Sequence, residues 1–277
     1  MKSIKLVVIL LLLLTHHLQA QLVDDMDDES RLYAENKQVN QFFRRFNGEE
    51  DEKGERYYPK DKQYRGEKLR KKYIGILFDA SNSGISQEAK LEFVKDVLNK
   101  EKPVFLNFHG GNWLSEVQTT FTMNGKNVPV TLFMELEKHH QGTRRVISKV
   151  YSDVFKPYFD RDTVKLGKFL HPLSHELDFM NLRKAFTNAD SINQYISKKY
   201  VPDHLSLFLY EAKKGNLKFK TIEEVKFHFF QINGWYFELS EFNRSGYNTG
   251  WLISNLVKVK NESEKNLLRR YVYYETK

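Results

Sequence analysis

The chain has 277 residues, with 44 Lys and Arg against 36 Asp and Glu, and it contains no cysteine. Disulfides and thiolate metal sites are therefore excluded, and the fold must rest on apolar burial, for which 40% hydrophobic residues over this length suffice. The net charge of +8 falls by two, to +6, without Lys2 and Lys5, a mild basic excess that by itself points to no nucleic-acid partner.

Lys2 and Lys5 precede an apolar run from Leu6 to Leu14, and Thr15 to Ala20 forms a short polar exit, the layout of a secretory signal peptide. The run is shorter than the roughly 20 residues that span a bilayer as a helix. Residues 1–20 are read as a signal peptide cleaved after Ala20, so the protein is expected to be exported, to a periplasm or outside the cell, with no transmembrane segment after cleavage. The absence of cysteine favours a bacterial envelope over a eukaryotic secretory route. Residues 21–29, with Asp24, Asp25, Asp27, Asp28 and Glu29, have little to bury and are expected to be disordered.

Leu32, Val39, Phe42, Phe43 and Phe46 recur at helical spacing and predict an amphipathic helix that ends at Asn47-Gly48. A basic stretch, Arg56 to Lys72, carries Tyr57, Tyr58 and Tyr64 and reads as a solvated loop and helix face. Helices are predicted over Gly66 to Phe78 and from a Ser86 cap to Asn99. Strands follow over Val104 to Phe108, Trp113 to Met123, Val128 to Leu136 and Thr143 to Tyr151, with Asn124-Gly125 as a hairpin turn.

Residues 152–173, with Pro157, Gly167 and Pro172, read as a connection, after which the same order begins again. Helices are predicted over Ser174 to Phe186, Ser191 to Lys198 and Asp203 to Lys213. Strands are predicted over Leu217 to Ile222, Val225 to Ile232, Trp235 to Phe242 and Trp251 to Val259, with Asn233-Gly234 as the turn. Identities recur in the same order, with one extra residue before the turn in the second copy. Glu116-Val117 and Phe121 precede the first Asn-Gly as Glu224-Val225 and Phe229 precede the second, and Thr143-Arg-Arg-Val-Ile-Ser-Lys-Val150 answers Thr249-Gly-Trp-Leu-Ile-Ser-Asn-Leu256. The fold class is α+β, in two tandem units: 30–151 and 174–260, each of about three helices followed by an antiparallel sheet, with a C-terminal tail at 261–277. Alternation sends Val146, Ser148 and Val150 to the helix-covered face, and Leu252, Ser254 and Leu256 to the matching one.

This element order, the helical Val39-Asn-Gln-Phe-Phe-Arg-Arg-Phe-Asn-Gly48 and the closing Val-Ile-Ser and Leu-Ile-Ser strands resemble the nuclear transport factor 2-like superfamily, also called the SnoaL or ketosteroid isomerase-like cone fold. Phe219 to Leu256 is also similar to exported bacterial proteins of no assigned activity. The resemblance implies curved, cone-like sheets around a cavity that takes a small apolar ligand. It implies no cofactor and brings no catalytic residue, because no motif here matches one.

His109-Gly110-Gly111 after an apolar run is similar to the oxyanion loop of α/β-hydrolases, but the nucleophile elbow that chemistry needs is absent, so it reads as a turn. His171, His175 and Glu176 are the weak candidates for a metal site. Pro172 breaks the shared helical face that the two histidines would need, and the plain reading is a helix start with an acidic first turn. His139-His140 reads as a solvated pair at a hairpin end. Acid or base residues of a cavity would come from Asp79, Asp203, His204 or His228. The candidate ligand or partner surface is Trp113, Trp235, Trp251 and Ile253, on the face opposite the helices. The function expected is an exported protein that binds a ligand or an envelope partner; the alternative is an isomerase, dehydratase or hydrolase working from a cone cavity.

Overall fold

The computed structural model describes residues 39–51, 53–140, 142–159, 180–187, 203–244 and 248–275, with six further positions between 192 and 200. The expected signal peptide, the acidic segment and much of the connection lie outside them, as do half of the helix predicted over Ser191 to Lys198 and the start of that predicted from Ser174; the described end of the latter, Met180–Phe186, is a 3-10 helix. Three helices come first: α1 (39–47), α2 (Glu67–Ile76) and α3 (Gln87–Val97), the last capped by the Ser86 hydroxyl, which accepts the Ala89 N–H at 3.2 Å. They are followed by β1 (Trp113–Met123), β2 (Lys126–His139) and β3 (Gly142–Tyr151), then α4 (His204–Lys213), β4 (Leu217–Phe229), β5 (Trp235–Phe242), β6 (Gly250–Lys258) and α5 (Glu262–Val272). The protein is thus α+β, with helices followed by an antiparallel sheet. Strands neighbour one another in the order β3-β2-β1-β4-β5-β6, and the β1–β2, β2–β3, β4–β5 and β5–β6 pairs are antiparallel.

The strands form an internal repeat, and their irregularities repeat with them. In β3 the residue skipped between partners of Phe133 and Met134 is Ser148; in β6 the residue skipped between partners of Glu238 and Leu239 is Ser254. Each bulged serine donates its hydroxyl to the same relative carbonyl, Ser148 to Phe133 O at 3.2 Å and Ser254 to Glu238 O at 3.3 Å. The hairpin turns do not correspond in length: Asn124-Gly125 is a two-residue turn between the paired Met123 and Lys126, with positive φ at both (52° and 76°), whereas β4 and β5 last pair at Phe229 and Phe237 and Gly234 alone of Asn233-Gly234 has positive φ (77°), within a longer connection.

The bulges correct the expected faces. Ile147 lies opposite Met134 and Val150 opposite Leu132, so the two share a face despite their odd separation, and Val146 turns away; likewise Ile253 opposite Leu239 and Leu256 opposite Phe237 share a face that Leu252 does not. An extra residue in a strand shifts the alternation by one, which uniform period-two reasoning does not anticipate.

The chain divides into two compact units, and neither is one consecutive half: the first comprises residues up to Trp113 together with Lys226–Lys265, the second Leu114–Val225 together with Asn266–Lys277. The helices expected to cover the first-half sheet thus pack on second-half strands. Within the first unit, Phe42 meets Phe229 and Phe237 at 6.3 Å, Phe46 stacks on Phe237 at 6.4 Å, and Phe93 meets Trp235 at 5.4 Å. Leu77 and Asp79 bond both sides of Ile253, so the outer edge of β6 is covered. Within the second unit, Val117, Phe121, Leu132 and Val150 form a core with Phe155 and with Phe208 of α4, which packs on β3.

Three further elements differ from expectation. Residues 104–108 form no strand, because they are held by side chains rather than by a ladder. Leu217–Phe229 is one strand with no break at Glu223-Glu224, and the tail contains α5.

Candidate functional site

Within the first unit a cavity of about 640 Å³ is lined by Asn40, Phe43, Arg44 and Asn47 of α1, by Glu49, Arg56 and Arg65 of the loop after it, and by residues 105–109. Each wall is fixed by identifiable bonds. Helix α1 ends because Gly48 takes a left-handed φ of 69°, and Glu49 N–H then closes on Arg44 O at 2.7 Å. The Asn47 amide pairs with the Leu106 backbone in both directions, at 2.9 Å each, imitating a strand partner for the 104–108 segment. Gln231 holds the next turn, accepting the Asn107 N–H at 3.0 Å and donating to Asn107 O at 2.8 Å and Gly111 O at 3.0 Å. Beneath them lies Arg70, 2% exposed, which donates to Val104 O at 2.5 Å and to Phe46 O at 3.3 Å. Desolvation, with Arg65 nearby, lowers its pKa to about 10.

The loop 49–57 is equally anchored. Glu50 and Arg56 form an antiparallel bridge, Tyr57 N–H donates to Glu49 O at 2.9 Å, and the Asp51 carboxylate caps the turn by accepting the Lys53 and Glu55 N–H groups at 2.8 Å. The Glu50 side chain is fully buried, where it accepts Arg44 Nε at 2.5 Å and Gln41 Nε2 at 2.7 Å, with Arg45 Nε at 3.5 Å. Arg65 lies 4.4 Å over the Phe105 ring and donates through Nε and Nη2 to one oxygen of Glu49, at 2.8 and 2.7 Å. Arg56 has no carboxylate within ion-pair distance among the described residues. The cavity therefore presents three guanidinium groups, two of them matched by Glu49 and Glu50. Such an arrangement attracts and orients anions; its titratable groups of catalytic type are limited to His109 and Glu49.

Apart from His109, the residues singled out in the sequence fall elsewhere. Trp113, Trp235, Trp251 and Ile253 are buried, at 3%, 2%, 5% and 0% exposure. Trp113 and Trp251 both pack on Phe227, while Trp235 donates its indole N–H to Asp96 at 3.0 Å. Trp113 nevertheless backs the cavity wall, 5.2 Å from Phe43 and from Phe108, and bonds Phe108 O at 3.0 Å. Asp79 holds Arg244 at 2.5 Å, and Asp203 caps α4. The His204 Nδ1 accepts the Ser152 N–H at 3.1 Å; burial lowers its pKa. His228 is buried against the Tyr236 hydroxyl at 2.8 Å, on the face opposite Phe227 and Phe229 as alternation requires. His139 and His140 meet edge to face at 4.3 Å at a hairpin end. His171, His175 and Glu176 lie outside the described residues, among which no cluster of metal-ligating side chains occurs.

Of the cavity residues only His109 stands out in the sequence, as part of a turn, because the signal of the others is diffuse. Arg44 and Arg45 sit inside an aromatic helix, and Arg56 and Arg65 belong to a stretch that composition alone assigns to solvent. The usable sign was paired acids, Glu49 and Glu50, directly after a helix whose last turns carry two arginines. No protein-family model matches the chain, and no curated protein or solved structure matches it either.

Proposed function

We propose that the protein is an exported binding protein of the cell envelope, and that its ligand occupies the 640 Å³ cavity of the first unit. The observation that carries this reading is a concave site of ligand size whose polar lining is anchored from four directions, by Asn47, Gln231, Arg70 and the Asp51 turn. The lining is largely polar, which favours a polar ligand over the apolar one implied by the resemblance. The reading retains that resemblance as a proposal for the ancestry of the repeat, with its cone-like curvature, and also the export signal.

The test is a thermal-shift screen of polar metabolites on protein beginning at Gln21. A ligand present at 100 times its Kd raises stability by about 2.7 kcal/mol. The shift is expected to vanish in Asn40→Trp, which fills the cavity. A shift that survives this substitution, or none with any compound, refutes the reading. Terminal sequencing of secreted material should return Gln21, and an intact Met1 would remove export from it.

A further inference from the structure

We infer that the ligand is a carboxylate carrying a single negative charge, with Arg56 as its principal anchor and Glu49 as a built-in stand-in that sets the charge limit. This rests on the reading of the cavity as a binding site. The charges lead to it directly. Arg44 and Arg45 share Glu50, and Arg65 is paired with Glu49, which leaves Arg56 as the lining guanidinium with no carboxylate partner among the described residues. A neutral ligand gains nothing from that solvent-exposed charge, a cation is repelled, and a dianion brings a second negative charge towards Glu49.

The geometry agrees with the charge. A guanidinium presents parallel donors that suit a planar carboxylate, and Arg65 already holds a carboxylate inside this cavity, directing Nε and Nη2 to one oxygen of Glu49 at 2.8 and 2.7 Å. Arg56 extends from a backbone bridged to Glu50, so its attachment point is fixed before ligand arrives. The volume accommodates a sugar acid or a short peptide with a free carboxylate. These share the recognised group, and the experiment separates them.

Isothermal titration uses five probes: glucuronate, glucose, glucose 6-phosphate, N-acetyl-dialanine and its C-terminal amide. Glucuronate or N-acetyl-dialanine should bind at least tenfold more tightly than its neutral counterpart, a difference of about 1.4 kcal/mol. Arg56→Gln should remove that preference without moving the unfolding midpoint, since Arg56 is exposed. Glu49→Gln should raise glucose 6-phosphate affinity about tenfold by lifting the charge limit, a response that a structural role for Glu49 does not produce. Equal binding of charged and neutral probes, tighter binding of the phosphate to the unaltered protein, or a carboxylate preference unaffected by Arg56→Gln overturns the inference and leaves the cavity reading standing. Binding of none of the five also overturns it, and the wider screen with Asn40→Trp then decides the cavity reading separately.

Discussion

Gly48 links the fold to the cavity, and replacing it with alanine gives a measurable account of that link. At φ 69° a Cβ is disfavoured, and here it would stand 2.7 Å from Arg70 Cγ and 3.5 Å from Arg65 Cα. Arg70 has little room to yield, because it is buried and donates to Val104 O and Phe46 O. The left-handed conformation costs about 1–2 kcal/mol for a residue with a Cβ. Forcing a methyl group against a packed side chain adds about 1–3 kcal/mol, so the total is about 3 kcal/mol. For a protein of this size that lowers the unfolding midpoint by about 6–12 °C. Gly125→Ala is the matched control: its φ is 76°, but no atom lies within 4 Å of the added Cβ, so it bears only the backbone cost, about 1–2 kcal/mol. Thermal and urea unfolding of the two variants isolate the clash as their difference. Equal losses in both would refute the claim that Arg70 is packed immovably under the α1 terminus.

The repeated bulge predicts that Ser148→Ala costs about 1 kcal/mol, the value of one hydroxyl–carbonyl bond. Ser254→Ala should cost more, because the Ser254 proton is shared between Glu238 O and the Glu238 carboxylate at 3.1 Å and its oxygen can accept from the Ser240 hydroxyl at 2.9 Å; urea unfolding that ranks them the other way counts against the bond assignments. For His204, burial depresses the folded pKa, so the stability it contributes is complete above the unfolded pKa of about 6.5 and is lost as pH falls through the folded value. His204→Gln should flatten the fall of the unfolding midpoint between about pH 7 and pH 5, and an unchanged profile would assign that fall to other groups. Because Phe42, Phe43 and Phe46 pack on Phe229 and Phe237, a fragment of residues 30–151 should lack stable helices by circular dichroism and gain them when mixed with residues 174–275; autonomous folding of the first fragment would contradict the division into units.

What the sequence disclosed was local chemistry. The Ser86 and Asp203 caps, the Gly48 terminus and the Asn124-Gly125 turn are each set by a few adjacent residues, and all four stand where propensity places them. Partner choice is a different matter. Which sheet α1 covers depends on long-range fit among Phe42, Phe46, Phe229 and Phe237, and amphipathic spacing states only that a helix has an apolar face, not which strands receive it. The missed α5 shows how one motif can carry two readings. Asn261-Glu-Ser263 matches a glycosylation triplet, yet Asn261 Oδ1 accepts the Glu264 N–H at 2.9 Å while the Glu264 carboxylate accepts the Lys260 N–H at 2.9 Å. Extending the motif by one residue to Glu264 turns it into a helix-start signal.

The cavity was hidden for a related reason. Its lining comes from a helix end, a short loop and an irregular segment, brought together by Asn47 bonding Leu106 across 59 positions and Gln231 bonding Asn107 across 124. No periodicity runs through such a set. Arg44 and Arg70, alike in sequence, also separate only in three dimensions: Arg70 is enclosed among backbone carbonyls and serves the scaffold, whereas Arg44 reaches a buried carboxylate at the cavity's edge. The tryptophans illustrate the converse. A large aromatic residue on a strand invites assignment to a recognition surface, but Trp113 backs the wall of the site without facing into it. Burial of about 150–250 Å² per aromatic residue makes such positions favourable in a core that no disulfide supports. In the proposed site recognition is left to arginines and amides, whose guanidinium and carboxamide donors keep their directionality at a half-exposed surface, and the aromatic core beneath holds their backbone in place.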